Sequence, residues 1–241
     1  LVGKLTTISI PPFITRIEDM SFYRCYLLSE VIIPPSVTYI GQYAFSGCRS
    51  IIKIEIPSSV TEIGRNIFGN CTKLQEVNFS SLTKISIAAF DNCSSLETLN
   101  IPSSVTIIDE YAFCLCTKFD RIIIPSSVKI INDYAFCLCS LLTYVEIPSS
   151  VTKISNYMFR GCKSLKNLNI PSSITEIGKY AFDGCMLLSE ISPLLNVIKI
   201  GEFAFTGCES LIQISIPSSV ESIGSYAFNE CSSLPNIVLP S

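Results

Sequence analysis

Apolar residues recur along this chain at the same offsets in unit after unit of 23 residues, broken once by a unit of 22. With a cysteine as position 1 the unit reads C-x-x-L-x-x-I-x-I-P-S-S-V-T-x-I-G-x-Y-A-F-x-G, most plainly in the stretch from Ile170 to Cys185. The anchoring cysteines are Cys25, Cys48, Cys71, Cys93, Cys116, Cys139, Cys162, Cys185, Cys208 and Cys231. A fixed period of this size marks a solenoid whose units pack on their neighbours.

Position 4 is apolar throughout, as at Leu28, Leu74, Phe119 and Leu142, and position 7 is aliphatic, as at Ile54, Val77, Ile122 and Val145. A variable residue separates position 7 from position 9, and Pro follows. This alternation of period two, bounded by Pro, predicts a short strand. The V-T-x-I block repeats the signal, with isoleucine at position 16 from Ile17 to Ile223, and predicts a second short strand beyond a Pro-Ser-Ser corner. Position 17 is Gly in half of the units, which predicts a bend or left-handed backbone. The step from Ile177 to Ala181, with Phe182 next, predicts a single α or 3₁₀ turn laying its apolar side inward. Parallel strands of successive coils lie about 4.8 Å apart, so equivalent residues stack into Phe, Ile and Leu spines and a Cys column.

Two units depart from the pattern. Pro is missing after Phe79, which shortens that unit and leaves the ladders on either side expected to run undisturbed. Ile191-Ser192-Pro193-Leu194 moves the Pro forward one place and predicts a shortened strand or bulge.

The chain of 241 residues is expected to be a single solenoid domain, 1–241, of about ten coils. It starts and stops in mid-repeat, at Leu1 and Ser241, so it reads as a segment whose uncapped ends would favour end-to-end association. Its longest apolar run falls far short of the roughly 18–20 residues of a membrane helix, so no membrane insertion is expected. No secretory leader is visible at Leu1 to Thr6. A net charge of −3 without a basic stripe argues against nucleic acid. The chain has no His, which removes the commonest general base and every His metal site. With no phosphate loop, paired acids or activated nucleophile either, no enzymatic activity, metal or cofactor is expected.

The run L-x-x-I-x-I is similar to the strand of a leucine-rich repeat. Together with P-S-S-V-T-x-I-G-x-Y-A-F-x-G-C it resembles the BspA-like subclass, in all ten cysteine-anchored units. The resemblance implies an α/β leucine-rich-repeat right-handed solenoid with a parallel sheet on its concave face. It further implies a cell-surface or secreted location and adhesion to host or extracellular-matrix proteins such as fibronectin and fibrinogen.

Of the twelve cysteines, ten form the column and are expected to be reduced and buried as small hydrophobes. Cys114 and Cys137 share position 22 of adjacent coils, and a spacing near 5 Å allows a disulfide between them. With Cys116 and Cys139 they also suggest zinc, but position 22 is expected to face outward and the other pair inward, which opposes convergence. Asn70, Asn78 and Asn92 head N-glycosylation sequons, and a glycan on Asn78 would obstruct that end of the sheet.

Strand positions 5, 6 and 8 point away from the core and vary. The richest stretch contains Asp120, Arg121, Ile123, Tyr144, Glu146, Lys166, Asn167 and Asn169, in which Arg and Tyr are common interface anchors. Arg121, Ile123, Tyr144 and Glu146 are expected to contact a protein or glycoprotein ligand. Against this, the same face could be ordinary wet sheet. A second candidate is position 15, with mixed charge and two exposed isoleucines, Ile107 and Ile130. The leading expectation is thus a non-catalytic binding module of an adhesin-like protein. The alternative is a structural spacer or intracellular scaffold.

Overall fold

A strand of two or three residues cannot satisfy its own peptide groups, so each unit of this chain borrows partners from the next. The computed structural model describes residues 4–237, so the assigned ends at Leu1 and Ser241 lie outside the described residues. The first block of the repeat forms β1 (Thr7–Ser9), β3 (Glu30–Ile32), β5 (Lys53–Glu55), β6 (Glu76–Asn78), β9 (Arg121–Ile123), β11 (Tyr144–Glu146), β13 (Asn167–Leu168) and β15 (Glu190–Ile191). The V-T-x-I block forms β2 (Arg16–Ile17), β4 (Tyr39–Ile40), β7 (Lys84–Ile85), β8 (Ile107–Ile108), β10 (Ile130–Ile131), β12 (Lys153–Ile154), β14 (Glu176–Ile177), β16 (Lys199–Ile200) and β17 (Ser222–Ile223).

All pairings are parallel and join equal repeat positions, as in Tyr144↔Arg121 and Ile177↔Ile154. Hydrogen bonds divide the first face into four ladders, β1–β3, β5–β6, β9–β11 and β13–β15, and the other flank into β2–β4, β7–β8–β10 and β12–β14–β16–β17.

One buried cluster runs from Ile10 to Ala227. The Phe spine from Phe22 to Phe228 is a stack with centroids 5.1–5.9 Å apart. Phe45 to Phe205 are fully buried. Hydroxyls of the Pro-Ser-Ser corner also reach back one coil: Ser104, Ser127 and Ser173 each donate 2.7 Å bonds to the position-13 carbonyls of Leu82, Val105 and Val151.

The expected helical turn at Y-A-F is replaced by a chain of tight turns; no helix occurs among the described residues. Alternate amides leave the segment. Tyr43, Phe45 and Gly47 donate to Arg65, Ile67 and Gly69 of the next coil, while Ala44, Ser46 and Cys48 close four-residue β-turns. Left-handed backbone at positions 19 and 23, as at Tyr43 (φ 55°) and Gly47 (φ 77°), prevents helical continuation. A non-glycine residue there costs about 1 kcal/mol or more. The cost is offset by inter-coil hydrogen bonds and by an aromatic stack at position 19. Tyr111, Tyr134, Tyr157, Tyr180, Phe203 and Tyr226 lie 4.3–5.0 Å apart.

Of the bend or left-handed backbone expected at position 17, the left-handed form does not occur. Gly178 and Gly201 are needed because a Cβ would meet Asn156 N at 2.7 Å and Gly178 C at 2.6 Å. Where the residue is not glycine its side chain is used: Ser86 Oγ donates to Ile63 O at 2.6 Å, and Asn132 Nδ2 to Asp109 Oδ1 at 2.7 Å.

The 22-residue unit preserves the Phe spine, since Phe90 stacks on Phe68 at 5.6 Å and Phe113 at 5.5 Å. Thr83 N also still donates to Thr61 O at 3.1 Å, as Thr106 N does to Thr83 O at 2.9 Å. The second-block ladder starts afresh at β7, which pairs forward with β8, and it breaks likewise between the regular strands β10 and β12. The unit with the advanced Pro behaves as expected: β15 has two residues, and Ser192 Oγ accepts the Ile170 N–H at 2.6 Å. In regular units a backbone carbonyl serves there, as for Ile56 N to Asn78 O at 2.8 Å.

The cysteine column carries hydrogen bonds as well as volume. Each thiol from Cys48 to Cys231 donates at 3.1–3.3 Å to the carbonyl of a spine phenylalanine one coil earlier, as in Cys116 to Phe90 O and Cys162 to Phe136 O. Burial pushes the thiols up, to about 12 at Cys48 and about 11 at Cys231.

Phe136→Ala should cost about 3–5 kcal/mol and uncouple the coils on either side, so a thermal melt followed by circular dichroism should show a lower midpoint or a second transition. A single transition at the parent midpoint would contradict the spine's role. The raised thiols bind protons in the folded chain that the unfolded chain releases above its ordinary value of 9.0. Their stabilisation is complete below pH 9 and is lost as pH rises through the folded values. Midpoints measured across this range should be flat below pH 9 and fall above it, with a shallower fall in Cys116→Ala.

Candidate binding surface

Along each first-block strand the core takes positions 4, 7 and 9, so positions 5, 6 and 8 face outward. Parallel register places each of these beside its equivalent one coil away. Arg121 and Ile123 on β9 thus lie beside Tyr144 and Glu146 on β11. The Arg121 guanidinium carbon sits 4.8 Å from the centre of the Tyr144 ring. The Tyr144 hydroxyl donates to Glu146 Oε2 at 3.5 Å. Ile123 is 63% exposed beside this cluster, a large apolar surface on an otherwise polar strand. Asp120 Oδ1 accepts the Thr143 hydroxyl at 2.6 Å at the edge of the same ladder.

Five of the eight residues of the richest stretch, Asp120, Arg121, Ile123, Tyr144 and Glu146, therefore form one exposed patch. Lys166 and Asn167 belong to the next ladder, β13–β15, where Asn167 Oδ1 accepts the Ser189 hydroxyl at 3.5 Å. They follow β11 on the same face but are not hydrogen-bonded to it.

A further feature was not singled out from the residues. Between β3 and β5 a hollow of about 520 Å³ is lined by Glu30, Ile32, Ile52, Lys53 and Glu55. Ile32 and Ile52 are both more than half exposed. The available signal was two isoleucines at outward positions of adjacent units. The gap between ladders that opens the hollow has no counterpart in the repeat motif. Lys53 closes one side by pairing with Glu76 at 2.9 Å, and that bond lowers the Glu76 carboxyl below its ordinary value.

On the opposite flank, Lys199 and Glu176 pair within the position-15 row at 3.0 Å, and Lys84 of that row reaches Asp109 at position 17 at 2.6 Å. Burial opposes the Asp109 charge, yet the bonds from Lys84, Asn132 and the Glu110 amide hold its carboxyl below the ordinary range. Of the two isoleucines expected to be exposed there, Ile130 is, whereas Ile107 is half-buried.

The sequon asparagines fall into two groups. Asn70 and Asn92 occupy the left-handed position 23 (φ 61° and 56°), a place that Asn tolerates unusually well, and Asn92 Nδ2 donates to Asn70 Oδ1 at 3.0 Å. Asn78 is exposed on β6, its amide donating to Glu76 at 2.9 Å. Cys114 and Cys137 are buried, 7% and 3% exposed, and do not face outward as expected, because the turns at positions 19 and 23 fold over position 22. No cluster of metal-binding side chains occurs among the described residues. No described helix is long and apolar enough to cross a membrane.

The coil architecture is similar to that of known proteins. A leucine-rich repeat protein from Bacteroides ovatus is 32% identical with a TM-score of 0.76, covering 96% of this chain and 63% of that one. A leucine rich cell surface protein from Faecalibacterium prausnitzii is 31% identical with a TM-score of 0.58, covering 98% of this chain and 60% of that one. The leucine rich repeat protein of T. pallidum is 26% identical with a TM-score of 0.54, covering 87% of this chain and 79% of that one. The chain spans less than two thirds of the length of the first two. No curated protein sequence matches it. The BspA type leucine rich repeat region matches residues 2–120 and 106–235, and with the coil geometry described above this chain belongs to the BspA-type leucine-rich repeat family.

Proposed function

We propose that the chain is a non-catalytic module that binds a protein or glycoprotein through its concave sheet, within an adhesin-like protein of the cell surface. The observation that carries this reading is the β9–β11 patch. Where the core repeats one residue type per position, its outward side changes from coil to coil and concentrates an Arg–Tyr stack, a carboxylate and a bare isoleucine. Stacked Arg and Tyr with an apolar neighbour are what protein interfaces use as anchors. Lys166 and Asn167 would extend the contact onto the next ladder. Surface location is supported by the relative from Faecalibacterium prausnitzii, which is described as a cell surface protein.

A spacer role is the second reading. It is favoured by the self-pairing of outward charges, such as Lys53 with Glu76 and Lys199 with Glu176, which leaves fewer groups free for a ligand.

Binding to immobilised fibronectin and fibrinogen, measured by surface plasmon resonance, separates the two. The parent should bind at least one of them, and R121A/Y144A should weaken binding about 10- to 30-fold, the loss of one interface anchor. Lys163→Ala, away from the sheet face, should leave it unchanged. A folded double variant that binds as the parent does, or a parent that binds neither protein, would refute recognition of these ligands through this patch.

A further inference from the structure

Position 22 is filled in chain order by Tyr23, Ser46, Gly69, Asp91, Cys114, Cys137, Arg160, Asp183, Thr206 and Asn229. The fold therefore asks for no particular residue there, in contrast to position 1, which is cysteine in all ten units from Cys25 to Cys231. Two cysteines in adjacent coils at a permissive position call for a reason other than packing.

Geometry supplies one. The coils carrying them are held by hydrogen bonds from Phe113 N to Ala135 O and from Leu115 N to Cys137 O, both 2.8 Å. Tyr111 and Tyr134, three residues earlier in each coil, stack at 4.5 Å, and the Phe113 and Phe136 rings at 5.5 Å. Equivalent residues of these coils are thus about 5 Å apart, within the Cα range of about 4.4–6.8 Å that a disulfide accepts. The column thiols of the same coils are committed elsewhere, Cys116 to Phe90 O at 3.2 Å and Cys139 to Phe113 O at 3.1 Å, and both are fully buried. The residues flanking the pair carry charge. Asp91 precedes it, and Arg160, held by Asp183 at 2.9 Å, follows it.

We propose that Cys114 and Cys137 are an oxidisable pair that closes as a disulfide across the boundary between adjacent coils, with Cys137 as the attacking thiol and Cys114 as the resolving one. The ionisation of the two thiols agrees with this order. A hydrogen bond from Cys114 and the positive charge of Arg160 lower Cys137, whereas the same bond and burial raise Cys114.

The oxidant is a small-molecule disulfide, RSSR. The Cys137 thiolate attacks one of its sulfurs, forming Cys137–S–S–R and releasing RS⁻, which takes a proton from water. Cys114 gives its proton to water and attacks the Cys137 sulfur, expelling the second RS⁻, which is protonated in turn. Two thiols and RSSR become one protein disulfide and two RSH, with two electrons leaving the protein. The product staples two coils that are otherwise held by hydrogen bonds and packing alone.

The test is incubation of the folded chain with oxidised glutathione, then alkylation in denaturant and peptide mass spectrometry. The expected result is ten alkylated cysteines, one Cys114–Cys137 peptide pair, and a thermal midpoint raised by several degrees. C114S, a residue type already present at Ser46, should retain a glutathione adduct on Cys137. C137S should leave Cys114 modified at least tenfold more slowly. Twelve alkylated cysteines in the parent, linkage along the position-1 column, or equal modification of the two single variants would overturn the proposal.

Discussion

Hydrogen bonding between coils at a constant offset is the constraint on which the rest of this structure depends. A unit of this size has no internal ladder. Its amides are satisfied by four-residue β-turns or by the neighbouring coil, and its serine hydroxyls and cysteine thiols reach back to carbonyls one coil earlier. No buried side-chain nitrogen or oxygen among the described residues lacks a partner. That economy depends on equivalent residues meeting coil after coil. The one shortened unit keeps it: Phe90 still stacks on both neighbours, Thr83 N still donates to Thr61 O at 3.1 Å, and Ser86 Oγ to Ile63 O at 2.6 Å.

This constraint divides the molecule into positions that are tied and positions that are free. Spine and column residues see the same neighbours in every coil and so converge on one residue type. Outward sheet positions see only solvent and their equivalents, and their chemistry drifts. Function in such a scaffold is carried by local combinations on the free positions. The hydrogen-bonded ladder β9–β11 sets the size of the strongest combination, and the breaks between ladders produce the hollow beside β5.

Cysteine serves two purposes in one chain. At position 1 it is a small buried donor whose thiol completes a phenylalanine carbonyl, and burial keeps it protonated. At position 22 the same residue lies nearer the surface, beside its own kind and between opposite charges. Residue type alone does not distinguish the two; the neighbours across the coil boundary do.

Much of the fold was legible in the sequence, because a repeated hydrophobic pattern states which residues are buried whatever the details of the backbone. Phe136, Ile177 and Leu142 were core positions on spacing alone, and Ser192-Pro193 marked its own irregularity. The turn at Tyr43-Ala44-Phe45 was misread as helical, since an apolar step of four residues fits either form. The choice depends on amides that leave for the next coil, a partner absent from the local sequence. Glycine at position 17 likewise had a tertiary cause, the approach of the neighbouring backbone, and not a local one. At the surface, the outward placement of Arg121 and Tyr144 followed from alternation. Their stacking, the division of the face into paired ladders and the burial of Cys114 and Cys137 did not. These depend on side-chain conformation and coil-to-coil distance, which a single unit does not encode and the assembled array decides.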